Sequence, residues 1–305
     1  MNEAVRIALN VLYMLYLWIE GMILVFIPKR FFYKDLNGEV VLITGGGSGI
    51  GRLLALKLSR LGCRVVIWDV NEEGNRETQQ QVKSQGGECY SYVCDVTDRE
   101  KVYAVARKVK EEVGPVTILV NNAGIVTGKK LLDTPDHLIE KTFQVNVIAH
   151  FWTFKAFLPD MISANYGHIV TISSLAGFSG INCLSDYCAS KAAAITAHES
   201  LYLELKDENR ENIKMTLIAP FFINTGLFEG ADGGYFPLLD SEYVADNIIS
   251  SVRSNQEVAI IPSYFNAITM MKALMPLRAY TVFYDLLKGF NAMKCFVGRT
   301  EKKEK

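Results

Sequence analysis

Hydrophobic and polar positions follow two different patterns along the chain. From Ile7 to Ile27 the sequence IALNVLYMLYLWIEGMILVFI carries a single charge, Glu20. As a helix, 21 residues rise about 31 Å, close to the hydrocarbon thickness of a bilayer. The run is too long for a secretory signal and no small-residue cleavage site follows it, so residues 1–36 are expected to form a retained membrane anchor. Lys29, Arg30 and Lys34 follow the run while Arg6 alone precedes it, which points the remainder of the chain to the cytosol. Arg6, Asn10, Tyr13, Tyr16 and Glu20 fall on one stripe of the helix. A spanning helix would have to hide that stripe, at about 2.5–3.5 kcal/mol for an acid at the bilayer centre. A helix lying in the interface would keep it wet. Length favours the first arrangement and the stripe the second.

After the anchor, short apolar runs alternate with helical ones. EVVLITG, RVVIWD, YSYVCD, VTILVNN, HIVTIS and KMTLIA read as strands, separated by stretches of helical periodicity such as LLALKLSRLG. Continuously apolar strands separated by helices imply a parallel sheet covered on both faces. The expected fold class is therefore α/β, a single doubly wound domain over about 37–262, with ligands bound at the carboxyl ends of the strands. Residues 263–305 read as amphipathic helices that cover a pocket, rest on a membrane or simply pack as core, followed by the solvated tail RTEKKEK.

Composition narrows the function classes. The 305 residues carry a net charge of −1, which leaves no electrostatic footprint for nucleic acid. Six cysteines, at 63, 89, 94, 183, 188 and 295, form neither a Cys-x-x-Cys pair nor a zinc-like cluster with histidine. They read as free thiols in a reducing compartment, and no metal is called for.

Chemistry concentrates just after the strands. Gly45, Gly49 and Gly51 lie between the first strand and the first helix, where backbone N–H groups and the positive helix end can receive a pyrophosphate. Asp69 closes the second strand, placed to accept hydrogen bonds from ribose hydroxyls and to repel a 2′-phosphate. Neither Ser48 nor Val70 is basic, so the cofactor expected is NAD rather than NADP. Farther on, DYCASK places Tyr187 and Lys191 four residues apart, on one face of a helix. Alone, such a pair reads as a solvated surface contact.

Thr44-Gly45, Gly49-x-Gly51, the NNAG of Asn121–Gly124 and Tyr187-x-x-x-Lys191 together resemble the short-chain dehydrogenase/reductase family over about residues 37–262. NNAGIVTGKK, HFWTFKAFLP, DYCASK and PFFINTGLFEG resemble its branch of membrane-bound epidermal retinol dehydrogenases, with the lipid-droplet 17β-hydroxysteroid dehydrogenases as neighbours. The resemblance makes Tyr187 the general acid/base and Lys191 its partner on the nicotinamide ribose. Ser174 would hydrogen-bond the substrate oxygen, and Asn146 would position a water. Thr44, Gly45, Ser48, Gly49, Ile50, Gly51 and Asp69 would hold the dinucleotide with Asp95 and Val96 beside the adenine. Asn122, Ala123 and Gly124 would border the nucleotide, and Pro220 and Thr225 the nicotinamide. One departure is visible: the usual Pro-Gly after the sixth strand is Pro220-Phe221 here.

The chemistry stands on its own terms as well. Lowering a phenol from pKa 10 by roughly three units takes about 4 kcal/mol. An ammonium about 4 Å away supplies about 1 kcal/mol in water but about 4 at an effective dielectric near 20. The pair therefore has to be enclosed. The expected activity is NAD-dependent oxidation of a lipophilic alcohol, all-trans-retinol first, with a 17β-hydroxysteroid or other lipid alcohol as the alternative. A non-catalytic nucleotide-binding protein of a membrane or lipid-droplet surface is the competing class. Asp186 reads as a helix N-cap, and Val126, Leu175, Phe178, Phe221, Phe222, Leu227 and Phe228 as pocket wall or core. The expected residence is the endoplasmic reticulum membrane or a lipid droplet, and the resemblance implies a homodimer.

Overall fold

Side chains alternate between the two faces of each strand, and this alternation builds the core. In β1 (Val40–Thr44), Val40 and Leu42 join one apolar cluster while Val41 and Ile43 join the other, as a period of two requires. The computed structural model describes residues 2–24 and 27–298. Its sheet adds β2 (Arg64–Asp69), β3 (Glu88–Val93), β4 (Ile118–Asn121), β5 (Gly167–Ile172), β6 (Ile213–Pro220) and β7 (Val258–Ile261). All pairs are parallel, in the order β3-β2-β1-β4-β5-β6-β7. The order reverses between β1 and β4, and a crevice opens there at the carboxyl ends.

Helices cover both faces. α2 (Gly49–Arg60), α3 (Glu72–Ser84) and α8 (Ser241–Arg253) bury Leu54, Leu58, Val82, Val244 and Ile248 against one face. α4 (Arg99–Glu112), α6 (Ala149–Ala164) and α7 (Ser185–Asp207) cover the other with Val102, Val109, Phe154, Phe157 and Leu205. α5 (Asp136–Phe143) leads into α6 through a π-helical segment, Gln144–Ile148. Asn71, Asp98 and Asp240 cap α3, α4 and α8 by accepting backbone N–H groups at 3.0 Å.

The sequence reading named six strands; β7 is a seventh. Its four residues pair with β6 from Leu217↔Val258 to Pro220↔Ile261, and a run that short carries too little periodicity to stand out. The segment expected to anchor the chain forms α1 (Glu3–Leu24), in which no residue is buried. Its polar stripe is internally paired in part, since the Tyr16 hydroxyl donates to Glu20 Oε1 at 3.2 Å and the Tyr13 and Tyr16 rings stack. Residues 29–36 then run back onto the domain. Tyr33 hydrogen-bonds Ser250 at 2.7 Å under the Arg253 guanidinium, and Leu36 is buried in the core. Beyond β7, α9 (Phe265–Leu274) and α10 (Leu277–Leu286) pack over the β6 end of the crevice. The tail from residue 299 onward lies outside the described residues.

Candidate active site

The glycine loop is held by contacts that admit no side chain. Gly45 and Gly49 adopt φ of 68° and 54°, and a Cβ on Gly51 would stand 2.1 Å from the carbonyl oxygen of Gly45. No side chain caps the N-terminus of α2 at Ser48, so its first N–H groups face the crevice. Asp69 steadies the loop: one carboxylate oxygen accepts from Gly47 N at 3.0 Å and the other from Asn71 N at 2.9 Å. A carboxylate offers about four lone-pair sites, so acceptors remain for ribose hydroxyls. The loop, the free helix end and the acid together fit a dinucleotide lacking a 2′-phosphate.

Beside them runs a groove of about 420 Å³. Gly45, Ser48, Gly49, Ile50, Gly51 and Asp69 line one part of it, Asp95 and Val96 another. Asn122, Ala123, Gly124, Pro220 and Thr225 line it as well, together with Ser174, Tyr187 and Lys191. Two of the sequence-derived residues do not line it. Thr44 lies behind, its hydroxyl accepting from the N–H groups of Asn122 and Ala123 at 3.0 Å each. Asn146 is fully buried: Oδ1 accepts from Ile125 N at 2.9 Å, and Nδ2 donates to Ile125 O and Ser190 Oγ at 3.0 Å each. Its side chain ties the segment after β4 to α7.

Tyr187 and Lys191 are each only 3% exposed, so the pair is enclosed as the energetics demand. The Lys191 ammonium stands 5.7 Å from the Tyr187 ring centre and donates to Ile172 O at 3.0 Å. Burial pushes the Lys191 pKa down to about 8 and raises that of Tyr187 well above the ordinary phenol value, opposed by the Ser174 hydroxyl. Ser174 sits just past β5, where its Oγ accepts from Ala176 N at 3.1 Å and lies 3.4 Å from Pro220 O. Phe228 meets the Tyr187 ring edge-on at 5.6 Å.

Asp186 is not the helix N-cap, which is Leu184. It is the second residue of α7, within the first turn, where it accepts from Thr127 at 2.6 Å and Thr142 at 3.2 Å. This buried carboxylate thus joins α5 and the segment after β4 to the start of α7. Sequence reasoning also missed Lys141, which lines the groove, donates to Thr97 at 3.0 Å and pairs with Asp95 at 3.4 Å. No spacing in the sequence signals it, because it reaches the groove from α5 across to the β3 end.

A second cavity of about 100 Å³ lies between Leu175, Phe222, Phe236 and the inner sides of α9 and α10. Phe221 lines both cavities. Its ring stacks on Phe265 at 4.7 Å and packs against Phe222 at 4.9 Å. The residue that departs from Pro-Gly is therefore the partition between groove and chamber. Among the expected wall residues, Leu227 and Phe228 line the groove, Leu175 and Phe222 the chamber, and Val126 and Phe178 pack in the adjoining clusters.

Residues 39–233 match the short chain dehydrogenase family model. The chain belongs to the short chain dehydrogenase family. This dehydrogenase is 46% identical to human (Homo sapiens) epidermal retinol dehydrogenase 2 over 93% of each chain. It is 42% identical to mouse (Mus musculus) estradiol 17-beta-dehydrogenase 11 over 88% of this chain and 89% of that one. Among solved structures, a short chain dehydrogenase/reductase from Burkholderia phymatum in complex with NAD aligns with TM-score 0.72 and 26% identity, covering 78% of this chain and 93% of that one. A metagenomic short-chain oxidoreductase in complex with NADP aligns with TM-score 0.63 and 30% identity, covering 74% and 96%. The dehydrogenase is thus an oxidoreductase of the branch its motifs resemble.

Proposed function

We propose that this enzyme oxidises a lipophilic alcohol with NAD at a membrane surface, and that all-trans-retinol is its substrate. The observation that carries the reading is the enclosed Tyr187–Lys191 pair beside Ser174, in a groove whose glycine loop and Asp69 suit an NAD dinucleotide. NAD⁺ would supply the hydride acceptor and a positive charge near the phenol. The glycine loop and the N-terminus of α2 would hold its pyrophosphate, and Asp69 its adenosine ribose.

Tyr187 takes the proton from the substrate hydroxyl. Burial alone makes the phenolate costly, so the Lys191 ammonium has to offset that cost in the same low dielectric. Ser174 donates to the substrate oxygen as it gains negative charge, an oxyanion-type contact. Asn146 acts through positioning, since its amide fixes the segment at Ile125 and, through Ser190, the turn of α7 that bears Tyr187.

Retinol is favoured by the 46% identity to a protein named as a retinol dehydrogenase and by the apolar chamber beyond Phe221. The 42% identity to a named estradiol dehydrogenase supports a 17β-hydroxysteroid as the second reading. α1, long and apolar enough to cross a membrane, supports membrane residence; we assign it to the endoplasmic reticulum with the domain facing the cytosol, as the basic residues after α1 favour, and the lipid droplet is the alternative if α1 lies in the interface. Purified full-length protein should reduce NAD, read as NADH absorbance, with all-trans-retinol faster than with estradiol or simple lipid alcohols. Nucleotide binding without turnover on any of them would contradict the enzyme reading.

A further inference from the structure

The outer face of the C-terminal helices has no part in the chemistry above, yet it carries several strongly exposed apolar side chains. Along α9 and α10, Phe265, Tyr280 and Tyr284 turn inward to line the chamber. Met270, Leu274, Leu277, Val282 and Leu286 turn outward and are 63–79% exposed. The two most exposed of these, Leu274 and Leu277, bracket Met275-Pro276 at the bend between the helices. Strongly exposed apolar side chains gathered on two successive helices mark a surface suited to contact.

Charge and position identify the occupant. Residues 263–298 hold Lys272, Arg278, Lys288 and Lys294 against the single acid Asp285, in a chain whose net charge is −1; Lys272 turns inward to Phe178 O and Lys288 lies over Tyr235, and Arg278 and Lys294 are exposed. Apolar side chains interleaved with cations suit an anionic phospholipid surface. The residues that receive the segment after α1, Ser250, Arg253 and Gln256, lie just before β7, and α9 begins four residues after β7 ends. β7 is the edge strand of the sheet, and its four residues span roughly 13 Å. Anchor and helix pair thus adjoin the same edge of the sheet, one at either end of one short strand.

We propose that the outer face of α9–α10 rests on an anionic phospholipid bilayer beside the point where α1 enters it. The proposal rests on the reading of α1 as a membrane anchor. The helix pair then separates lipid from the apolar chamber, and a lipophilic alcohol reaches Phe221 and the groove from the bilayer side.

The test uses the full-length protein on phosphatidylcholine–phosphatidylserine vesicles with brominated acyl chains. In a Trp18→Phe background, tryptophan is introduced by Leu274→Trp or, as a control on α7, by Leu203→Trp, a position 65% exposed. Bromine should quench the emission added by Leu274→Trp and leave that added by Leu203→Trp unchanged. No quenching of Leu274→Trp in protein that floats with the vesicles would overturn the proposal. So would a blue shift without quenching in protein that sediments as a dimer, which would assign the face to a second copy. Protein that fails to float at all would remove the anchor reading and the proposal together. The double variant Leu274→Asp/Leu277→Asp alters no chamber-lining residue. It should lower turnover of vesicle-dissolved retinol severalfold and leave a short water-soluble alcohol unaffected; equal loss on both would count against delivery from the bilayer.

Discussion

The nucleotide end of the groove and its substrate end are shaped by different means. At the nucleotide end, the contacts fall on backbone: Gly51 lies against the Gly45 carbonyl, and the Thr44 hydroxyl holds the backbone N–H groups of Asn122 and Ala123. At the substrate end, rings meet rings, with Phe221, Phe222, Phe236 and Phe265 in mutual contact. Backbone contacts tolerate no side chain at fixed positions, so they leave a motif. Aromatic packing accepts many arrangements of similar volume, so it leaves none, and it is here that one branch of the family can suit one alcohol.

Three substitutions sharpen this contrast, from the largest effect to the smallest. Gly51→Ala places a methyl against backbone that cannot yield. It should cost about 3 kcal/mol, seen as a fall in melting temperature of roughly 5–10 °C with loss of nucleotide binding in a dinucleotide titration. A melting temperature equal to that of the parent would show that the loop is less constrained than its contacts imply.

His150 tests the layer behind α7. It is fully buried with both ring nitrogens unpartnered, and burial pushes its pKa down to about 3. The folded value lies below the unfolded one near 6.5, so the native state binds fewer protons. Its contribution to stability is intact above pH 6.5 and is lost as pH falls toward 3. Between pH 7 and pH 5, His150→Leu should therefore lose about 2 kcal/mol less stability than the parent in urea titrations. Equal losses would mean that the imidazole finds a partner, such as an internal water.

Asp69→Asn keeps an acceptor for Gly47 N–H and removes the charge. Repulsion of a 2′-phosphate should weaken by about 1.4 kcal/mol, shifting the ratio of NADP to NAD affinity about tenfold toward NADP. An unchanged ratio would place cofactor choice elsewhere in the groove, with Lys141 the first residue to test.

Much of the molecule was legible in the sequence. Continuous apolar runs gave six of the seven strands, and the glycine loop, Asp69 and the Tyr187–Lys191 spacing led to the groove. What escaped depends on contacts remote in sequence. β7 is too short to show a period, and Lys141 reaches the groove from a helix that carries no motif. Asp186 looks like a cap by residue type, but two threonines from other elements recruit it instead. Phe221 was visible as a departure from Pro-Gly, yet its role as the partition appears only once α9 brings Phe265 against it.

We propose that the enclosed Tyr187 phenol transfers the proton in a groove that suits NAD. Removing one oxygen atom tests it most directly. Tyr187→Phe keeps the ring against Phe228 and removes the phenolic oxygen together with its interaction with Ser174. Paired measurements of NAD affinity by titration and of retinol turnover by NADH absorbance should give unchanged binding, within about threefold, and turnover lowered by a factor on the order of 10² to 10⁴, the usual contribution of a positioned acid/base. Substantial NADH production by the folded variant would contradict the account.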